Sequence, residues 1–274
     1  MYVNFSFTYA QPLPKAQPLV SKKAILAVTP SVSKEKVVTL DNYFNNEWKK
    51  DVTGKDIPYH YLWDDKANSG FSMLGDIFSS YGAKKNILAA APSKENLKNT
   101  NIYIIVDPDT EKETQHPNYI QQKDVDVISG WVKNGGILLL MGNDSANAEF
   151  QHFNRLAEKF GIHFNEDCKN RVQGDNFEQG AIRIPANHPI FKTAKKAFIK
   201  EFSTVSAKAP AKIVLKNGED NIIAVSKYGK GTVVAIGDPW FYNEYVDGKR
   251  LPPEYENFDA ANDLVKWLIM QSKK

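Results

Sequence analysis

Cysteine is nearly missing from this chain: Cys168 is the only one in 274 residues. A single cysteine excludes an intramolecular disulfide and any thiolate-based metal cluster. It sits in the polar run Asn165-Glu166-Asp167-Cys168-Lys169-Asn170, where no positioned base or helix N-terminus is legible, so a nucleophilic role is not expected. Long apolar runs are missing too, and no stretch approaches the ~20 residues that span a bilayer. Charge of one sign is concentrated nowhere. The 35 basic and 32 acidic residues leave a net +3 with no long block of either, which removes the electrostatic footprint of a nucleic-acid binder. No Walker loop or Gly-x-Gly-x-x-Gly follows an apolar run, so nucleotide binding has no support. Ser145 stands in Asn143-Asp144-Ser145-Ala146-Asn147 and not in the Gly-x-Ser-x-Gly elbow that exposes a nucleophile. His152 lies near oxygen-bearing residues but has no partner at tight ligand spacing, and neither a metal nor another cofactor is expected.

What is present is a repeated grammar: a short β-branched or aliphatic run, then an acidic or amide residue, then a turn. It recurs in Val37-Val38-Thr39-Leu40-Asp41, Ile102-Tyr103-Ile104-Ile105-Val106-Asp107, Ile137-Leu138-Leu139-Leu140-Met141-Gly142-Asn143-Asp144 and Val233-Val234-Ala235-Ile236-Gly237-Asp238. Such runs read as strands buried on both faces, the mark of a parallel sheet covered by helices. Helical spacing connects them, at Phe71, Leu74, Ile77 and Phe78, over Gln122 to Lys133, and over Ala146 to Phe160. A second, short strand is expected over Asn86 to Ala90. From about Ile162 the rhythm changes to short alternating strands, at Gly180 to Ile184, Phe198 to Val205, Lys212 to Leu215 and Ile222 to Ser226, which predicts an antiparallel extension. A closing helix runs from Asn257 to Met270. Residues 1–36 read as the tail of a secretory signal, with Thr8-Tyr9-Ala10 before Gln11-Pro12, followed by a proline-rich linker. That predicts a periplasmic or secreted protein whose single folded domain is 37–274.

Ligands of parallel sheets bind outside the carboxyl ends of the strands, so carboxylates at several ends gather on one rim. The densest cluster is Gly237-Asp238-Pro239-Trp240-Phe241-Tyr242-Asn243-Glu244-Tyr245 with Arg250. Rings that stack on a sugar face beside groups that bond its hydroxyls are the chemistry of carbohydrate recognition; equally, Trp240 and Phe241 could cap the core and Asp238 a turn. Trp63-Asp64-Asp65-Lys66-Ala67-Asn68 is the second cluster, in which Asn68 is also a natural helix cap. Asp64, Asp107, Asp144, Asp238 and Glu244 are candidates for acid–base work, which glycoside hydrolysis needs from a carboxyl pair ~5–9.5 Å apart. Candidates for binding are Trp63, Asp65, Asn68, Asn143, Arg171, Trp240, Tyr242, Asn243 and Arg250, the arginines for uronate carboxylates and the large rings for stacking. His188, in Asn187-His188-Pro189, reads as a turn residue.

The motifs Trp63-Asp64-Asp65-Lys66-Ala67-Asn68-Ser69-Gly70, Val106-Asp107-Pro108-Asp109-Thr110, Gly135-Gly136 through Gly142-Asn143-Asp144-Ser145, and Tyr228-Gly229-Lys230-Gly231 through Trp240 resemble the glutamine amidotransferase-like domain attached to unsaturated rhamnogalacturonyl hydrolases of Bacteroidetes-type bacteria. The resemblance covers about Val37 to Gln271. It implies a flavodoxin-like, class I glutamine amidotransferase-like α/β fold and a place in pectin degradation beside a separate hydrolase barrel. Active members of the wider superfamily carry a Gly-x-Cys-x-Gly elbow, where this chain reads Gly142-Asn143-Asp144-Ser145, so glutamine hydrolysis is not expected. The expected function is an accessory or carbohydrate-binding domain for acidic, rhamnogalacturonan-type oligosaccharide. A glycoside hydrolase using the rim carboxylates and a purely structural domain are the alternatives.

Overall fold

Odd and even residues of a strand face opposite ways, and in this chain both sets are apolar. The computed structural model describes residues 35–272; the expected signal-like segment and linker lie outside the described residues apart from Glu35 and Lys36. In chain order the elements are β1 (Lys36–Asp41), β2 (Trp48–Lys50), β3 (Asp56–Pro58), α1 (Ser72–Ser80), β4 (Ala83–Leu88), β5 (Ile102–Val106), α2 (Gln122–Lys133), β6 (Ile137–Met141), α3 (Phe150–Glu158), β7 (Ile162–Phe164), a 3₁₀ turn (Phe177–Gly180), β8 (Ala181–Arg183), β9 (Lys196–Phe198), β10 (Val205–Ala207), β11 (Lys212–Asn217), β12 (Asp220–Tyr228), β13 (Gly231–Ile236), α4 (Asn243–Val246) and α5 (Asn257–Gln271).

Seven strands form one sheet in the order β11-β12-β13-β6-β5-β1-β4. The pairs from β4 through β13 are parallel, while β11, β12 and β13 meander antiparallel at the far edge. Counted along the chain, the five parallel strands lie in the spatial order 2-1-3-4-5, that of flavodoxin-like sheets. Alternation divides the core into two layers. Val38, Leu40, Ile104, Leu139 and Ile236 pack under α1 and α5, through Leu74, Ile77, Phe78, Leu264 and Leu268. Tyr103, Ile105, Leu138, Leu140 and Ala235 pack under α2 and α3, through Val125, Ile128, Phe153 and Leu156. The mixed α/β fold with a parallel centre and an antiparallel C-terminal edge is thus as the sequence pattern predicts.

Local details differ. The expected strand from Phe198 to Val205 is two, β9 and β10, because Phe202 exchanges backbone hydrogen bonds with Lys169 instead (2.9 and 3.2 Å). β7 with β10, and β8 with β9, form separate two-stranded ribbons and do not extend the sheet. The strand expected over Asn86 to Ala90 lies earlier, as β4. α3 starts later than its apolar spacing suggests, since the Asp144 carbonyl accepts the N–H groups of Asn147 and Ala148 in a turn and Glu149 caps the helix through the N–H of His152.

The ribbon of β8 and β9 is fastened by one buried side chain. Asn257, at the start of α5, accepts the Phe198 N–H at 2.7 Å and donates to the Phe198 carbonyl at 2.9 Å. Replacing it with alanine leaves two buried backbone groups unpaired, each costing ~1–3 kcal/mol. Asn257→Ala should therefore lower stability by about 2 kcal/mol or more, read from the urea midpoint at constant m-value.

Candidate functional site

Because the five central strands run the same way, their carboxyl ends share one rim. β5 is followed by Asp107, β6 by Asn143 and Asp144, and β13 by Asp238. These residues line one cleft of about 670 Å³, closed by Tyr59, His60, Tyr61 and Asn68 from the loop before α1, by Glu113, by Lys200 and Glu201, and by Tyr242, Glu244 and Tyr245. Gly237 permits the β13 exit: a Cβ there would lie 2.0 Å from the Ser203 carbonyl oxygen. A larger groove of about 940 Å³ at the opposite end of the sheet, around Trp131, Gly135 and Gly136, holds none of these carboxyls.

The acid that ends β1 is excluded from the cleft. Asp41 Oδ2 accepts the N–H groups of Tyr43, Phe44 and Asn45, and Oδ1 accepts the Tyr103 hydroxyl. It ties down the following loop, and burial pushes its pKa up to about 6 against the lowering effect of those bonds. That loop crosses the crevice between β1 and β5, where the order of strands reverses. Asn45 donates to the Asp107 carbonyl (2.8 Å) and the Asn46 N–H donates to Asp109 (2.9 Å). The open cleft is left over β5, β6 and β13.

Asp107 is the centre of the site. Its backbone is left-handed (φ 43°), as are those of His60 (φ 69°) and Tyr61 (φ 51°), which face it. Such conformations cost energy and persist only where surroundings enforce them, commonly at functional sites. Oδ2 accepts both the Tyr61 hydroxyl and the Asn143 amide at 2.8 Å, while Oδ1 has no hydrogen-bond partner among the described residues. Burial raises the Asp107 pKa to about 7; Asn143, Tyr61 and His60 pull it down, and the charge of Glu113 pushes it up. Asp238 is 4% exposed and is held well above the carboxylate range, by burial first and by the neighbouring Asp107 second, against the pull of Lys200. Its carboxyl accepts one long hydrogen bond, 3.4 Å, from Tyr242.

The histidine in this cleft escapes the sequence reading. His60 is stacked between Tyr59 and Tyr61 (centroids 4.9 and 3.9 Å apart), and its Nδ1 lies 2.7 Å from Glu47 Oε1. Burial works against its charge, yet the bond to Glu47 and the charges of Glu47, Asp107 and Glu113 outweigh it and raise the pKa. The only signal was His60 flanked by two tyrosines; Glu47 arrives through the pairing of β2 with β3, which three-residue strands do not announce.

Several predicted binding residues do other work. Trp240 is 1% exposed and packs on Phe241 and Phe191, and Trp63 is core, its Nε1 donating to the Asn86 carbonyl. Neither presents a ring to the cleft. Asn243 is a clamp: its amide donates to the Asp65 and Ala67 carbonyls, and its oxygen accepts from Ser72 and from the Met73 N–H. It therefore caps α1 from far along the chain, which leaves Asn68 exposed in the cleft lining and not a cap. Asp65 accepts the Ala67 N–H within that loop, and Asp64 is exposed on a different hollow. Asp144 lines the cleft, but its carboxylate is bound to the Ala146 N–H and the Asn147 amide. Glu244 also lines it and pairs with Arg250, and neither Arg250 nor the exposed Arg171 is among the cleft's lining residues. Asn143 and Tyr242 line the cleft. His188 is the turn residue foreseen, taking the N–H groups of Ile190 and Phe191 on Nδ1 and meeting the Val214 carbonyl through Nε2. Among the described residues no group of three or more His, Cys, Asp or Glu is placed to hold a metal ion, and no helix is long and apolar enough to cross a membrane.

Raised carboxyl pKa values have a stability consequence with a definite sign. The folded chain retains protons on Asp41, Asp107 and Asp109, with pKa values of about 6, 7 and 7, that the unfolded chain releases near pH 4. Their contribution is complete below about pH 4 and is lost as pH rises through 6 to 7, by at most ~1.4 kcal/mol per pH unit for each group. Urea unfolding should show this contribution shrinking from pH 5 to pH 8. Asp107→Asn should flatten that slope, and an unchanged slope would refute the burial of this acid in neutral form.

The sequence matches no protein-family model, and no curated protein matches it. Solved structures do match. The mmIFT52 N-terminal domain superimposes with a TM-score of 0.63 at 19% identity, over 85% of this chain and 97% of that one. A cytoplasmic protein of Salmonella typhimurium LT2 gives 0.55 at 16%, over 84% and 98%. A ThuA-like protein from Bacteroides uniformis ATCC 8492 gives 0.50 at 13%, over 88% and 94%. At such identities the likeness concerns the fold alone, a mixed α/β fold around a mostly parallel sheet with flavodoxin-like strand order.

Proposed function

We propose that this chain is a carbohydrate-binding accessory domain of polysaccharide degradation that works without an amidotransferase nucleophile. One observation carries the reading: two buried carboxyls, Asp107 and Asp238, face one cleft with an amide and tyrosine hydroxyls, and their own hydrogen-bonding capacity is only partly used. Groups that both donate and accept match the hydroxyls of a sugar, and about 670 Å³ lies within the ~300–1,000 Å³ of small-ligand sites. The charges of the lining bear on which sugar we propose. With Arg171 and Arg250 outside, the remaining lysines, Lys49 and Lys200, face Glu113, Asp144, Glu201 and Glu244 as well as the central pair. Such a cleft favours an uncharged sugar over a uronate. The place in pectin breakdown and the hydrolase barrel as partner rest on the motif resemblance, and the export to periplasm or medium on the signal-like sequence of residues 1–36.

A second reading has one specific support: a carboxyl with a pKa of about 7, as at Asp107, suits a general acid at neutral pH. Calorimetric titration with rhamnogalacturonan oligosaccharides, methyl-esterified and free-acid, followed by mass spectrometry of the sugars, separates the two. Binding with sugars recovered intact is expected, about tenfold weaker in Asn143→Ala, which removes one amide contact, and unaltered in Trp240→Phe. Shortened sugars would make the protein a hydrolase, and silence across the panel would reduce it to a structural domain.

A further inference from the structure

Asp238 is nine-tenths buried and poorly satisfied. Its carboxyl accepts only the 3.4 Å bond from Tyr242, and no cation forms an ion pair with it among the described residues. The cations nearby are committed elsewhere: Lys200 pairs with Glu201 at 2.9 Å and His60 with Glu47 at 2.7 Å. Other acids facing the cleft are occupied as well, Glu113 by the N–H and hydroxyl of Thr110 and Asp144 by its turn. Asp107 alone shares the predicament of Asp238. Tyr61 and Asn143 take its Oδ2, so a bound proton must sit on the partnerless Oδ1.

We infer that Asp238, backed by Asp107, grips its ligand as a neutral carboxylic acid, so that an uncharged hydroxyl-bearing sugar binds only when protons occupy this pair. Resting on the saccharide reading of the cleft, it adds the ligand's charge class and the coupling to protons. The physical reason is donor count. An ionised carboxylate accepts only, whereas a protonated one donates through one oxygen and accepts through the other, as a sugar hydroxyl requires of its partner. Two carboxylates that line one cleft and feel each other's charge, both desolvated and without a paired cation, do not readily ionise together. A ligand carboxylate would bring a third negative charge to the same place.

Tyr61, Tyr242 and Tyr245 are held above their ordinary range by burial first, so none changes charge with the carboxyls. His60, raised by Glu47 against its own burial, and Glu113, raised by burial, also act on Asp107; a variant that neutralises the two aspartates while keeping His60 and Glu113 separates their titration from that of the pair. The Asp107 value of about 7 sets the window. Affinity for a methyl-esterified rhamnogalacturonan oligosaccharide should fall tenfold or more between pH 5.5 and 8.5, roughly in step with the protonated fraction. The binding heat should also depend on the ionisation enthalpy of the buffer, in the direction of proton uptake. The Asp107→Asn, Asp238→Asn double variant, a permanently neutral pair, should bind with one affinity at both pH values, and Asp238→Ala should bind more weakly at each. Wild-type binding that ignores pH and buffer would overturn the inference while leaving the saccharide reading intact. So would a double variant that keeps the wild-type pH dependence. Wild-type silence toward every sugar at both pH values would overturn the two together.

Discussion

Parallel strands end on one side of their sheet, and that constraint organises this protein. Four of the five central strands are followed by an acid, so the topology alone brings Asp41, Asp107, Asp144 and Asp238 to a single rim. Carboxylates crowded where water is scarce can each be bonded by several donors, be paired with a cation, or give up ionisation. Asp41 and Asp144 follow the first course, spending their oxygens on backbone N–H groups. Asp107 and Asp238 follow the third. The division is what makes a site out of a rim, because only groups with unused hydrogen-bonding capacity have something to offer a ligand.

The segment between β1 and α1 then decides where on the rim the site opens. In an open α/β sheet the crevice at the strand-order reversal is the usual ligand position. Here Asp41 pins the loop at Phe44 and Asn45 reaches the Asp107 carbonyl, so the loop after β1 crosses that crevice. The same segment carries Glu47, His60 and Tyr61, whose left-handed backbone delivers the tyrosine hydroxyl to Asp107. Covering the crevice and building the cleft wall are therefore one act of folding, and strain at His60 and Tyr61 is offset by a stacked ring pair and two short hydrogen bonds.

This explains what the sequence discloses. The parallel strands β1, β5, β6 and β13 and the helix α2 are legible because both periodicities and turn residues agree there, whereas the edge strand β4, largely exposed, is read too late; the rim follows from the central four. The acids at strand ends are legible for the same reason. Their fates are not, since whether an acid is satisfied depends on partners such as Tyr103 for Asp41 or Tyr61 for Asp107, which are 62 and 46 residues away. Trp240 and Trp63 mislead because a tryptophan beside polar residues looks the same whether it faces ligand or core. The decisive fact, that Phe191 packs against Trp240 and that Phe71 and Phe78 pack against Trp63, is settled by how the chain turns back on those rings, which local composition does not state.

Buried amides sharpen the distinction between scaffold and site. Asn154 bonds both backbone groups of Phe164, Asn257 both of Phe198, and Asn243 two carbonyls and the first turn of α1. Each uses its donor and its acceptor on the backbone, so each is spent on holding the chain. Asn143 is different: its oxygen meets the adjacent Asp144 N–H, while its donor goes to a carboxyl that is itself incompletely satisfied. An amide that donates to Asp107 lowers the cost of ionising it, and burial raises that cost; the balance leaves the acid near neutrality, where a modest contact from a ligand is enough to decide its charge. The cleft is thus polar in a way the rest of the rim is not, and the difference lies in the hydrogen bonds its groups have yet to make.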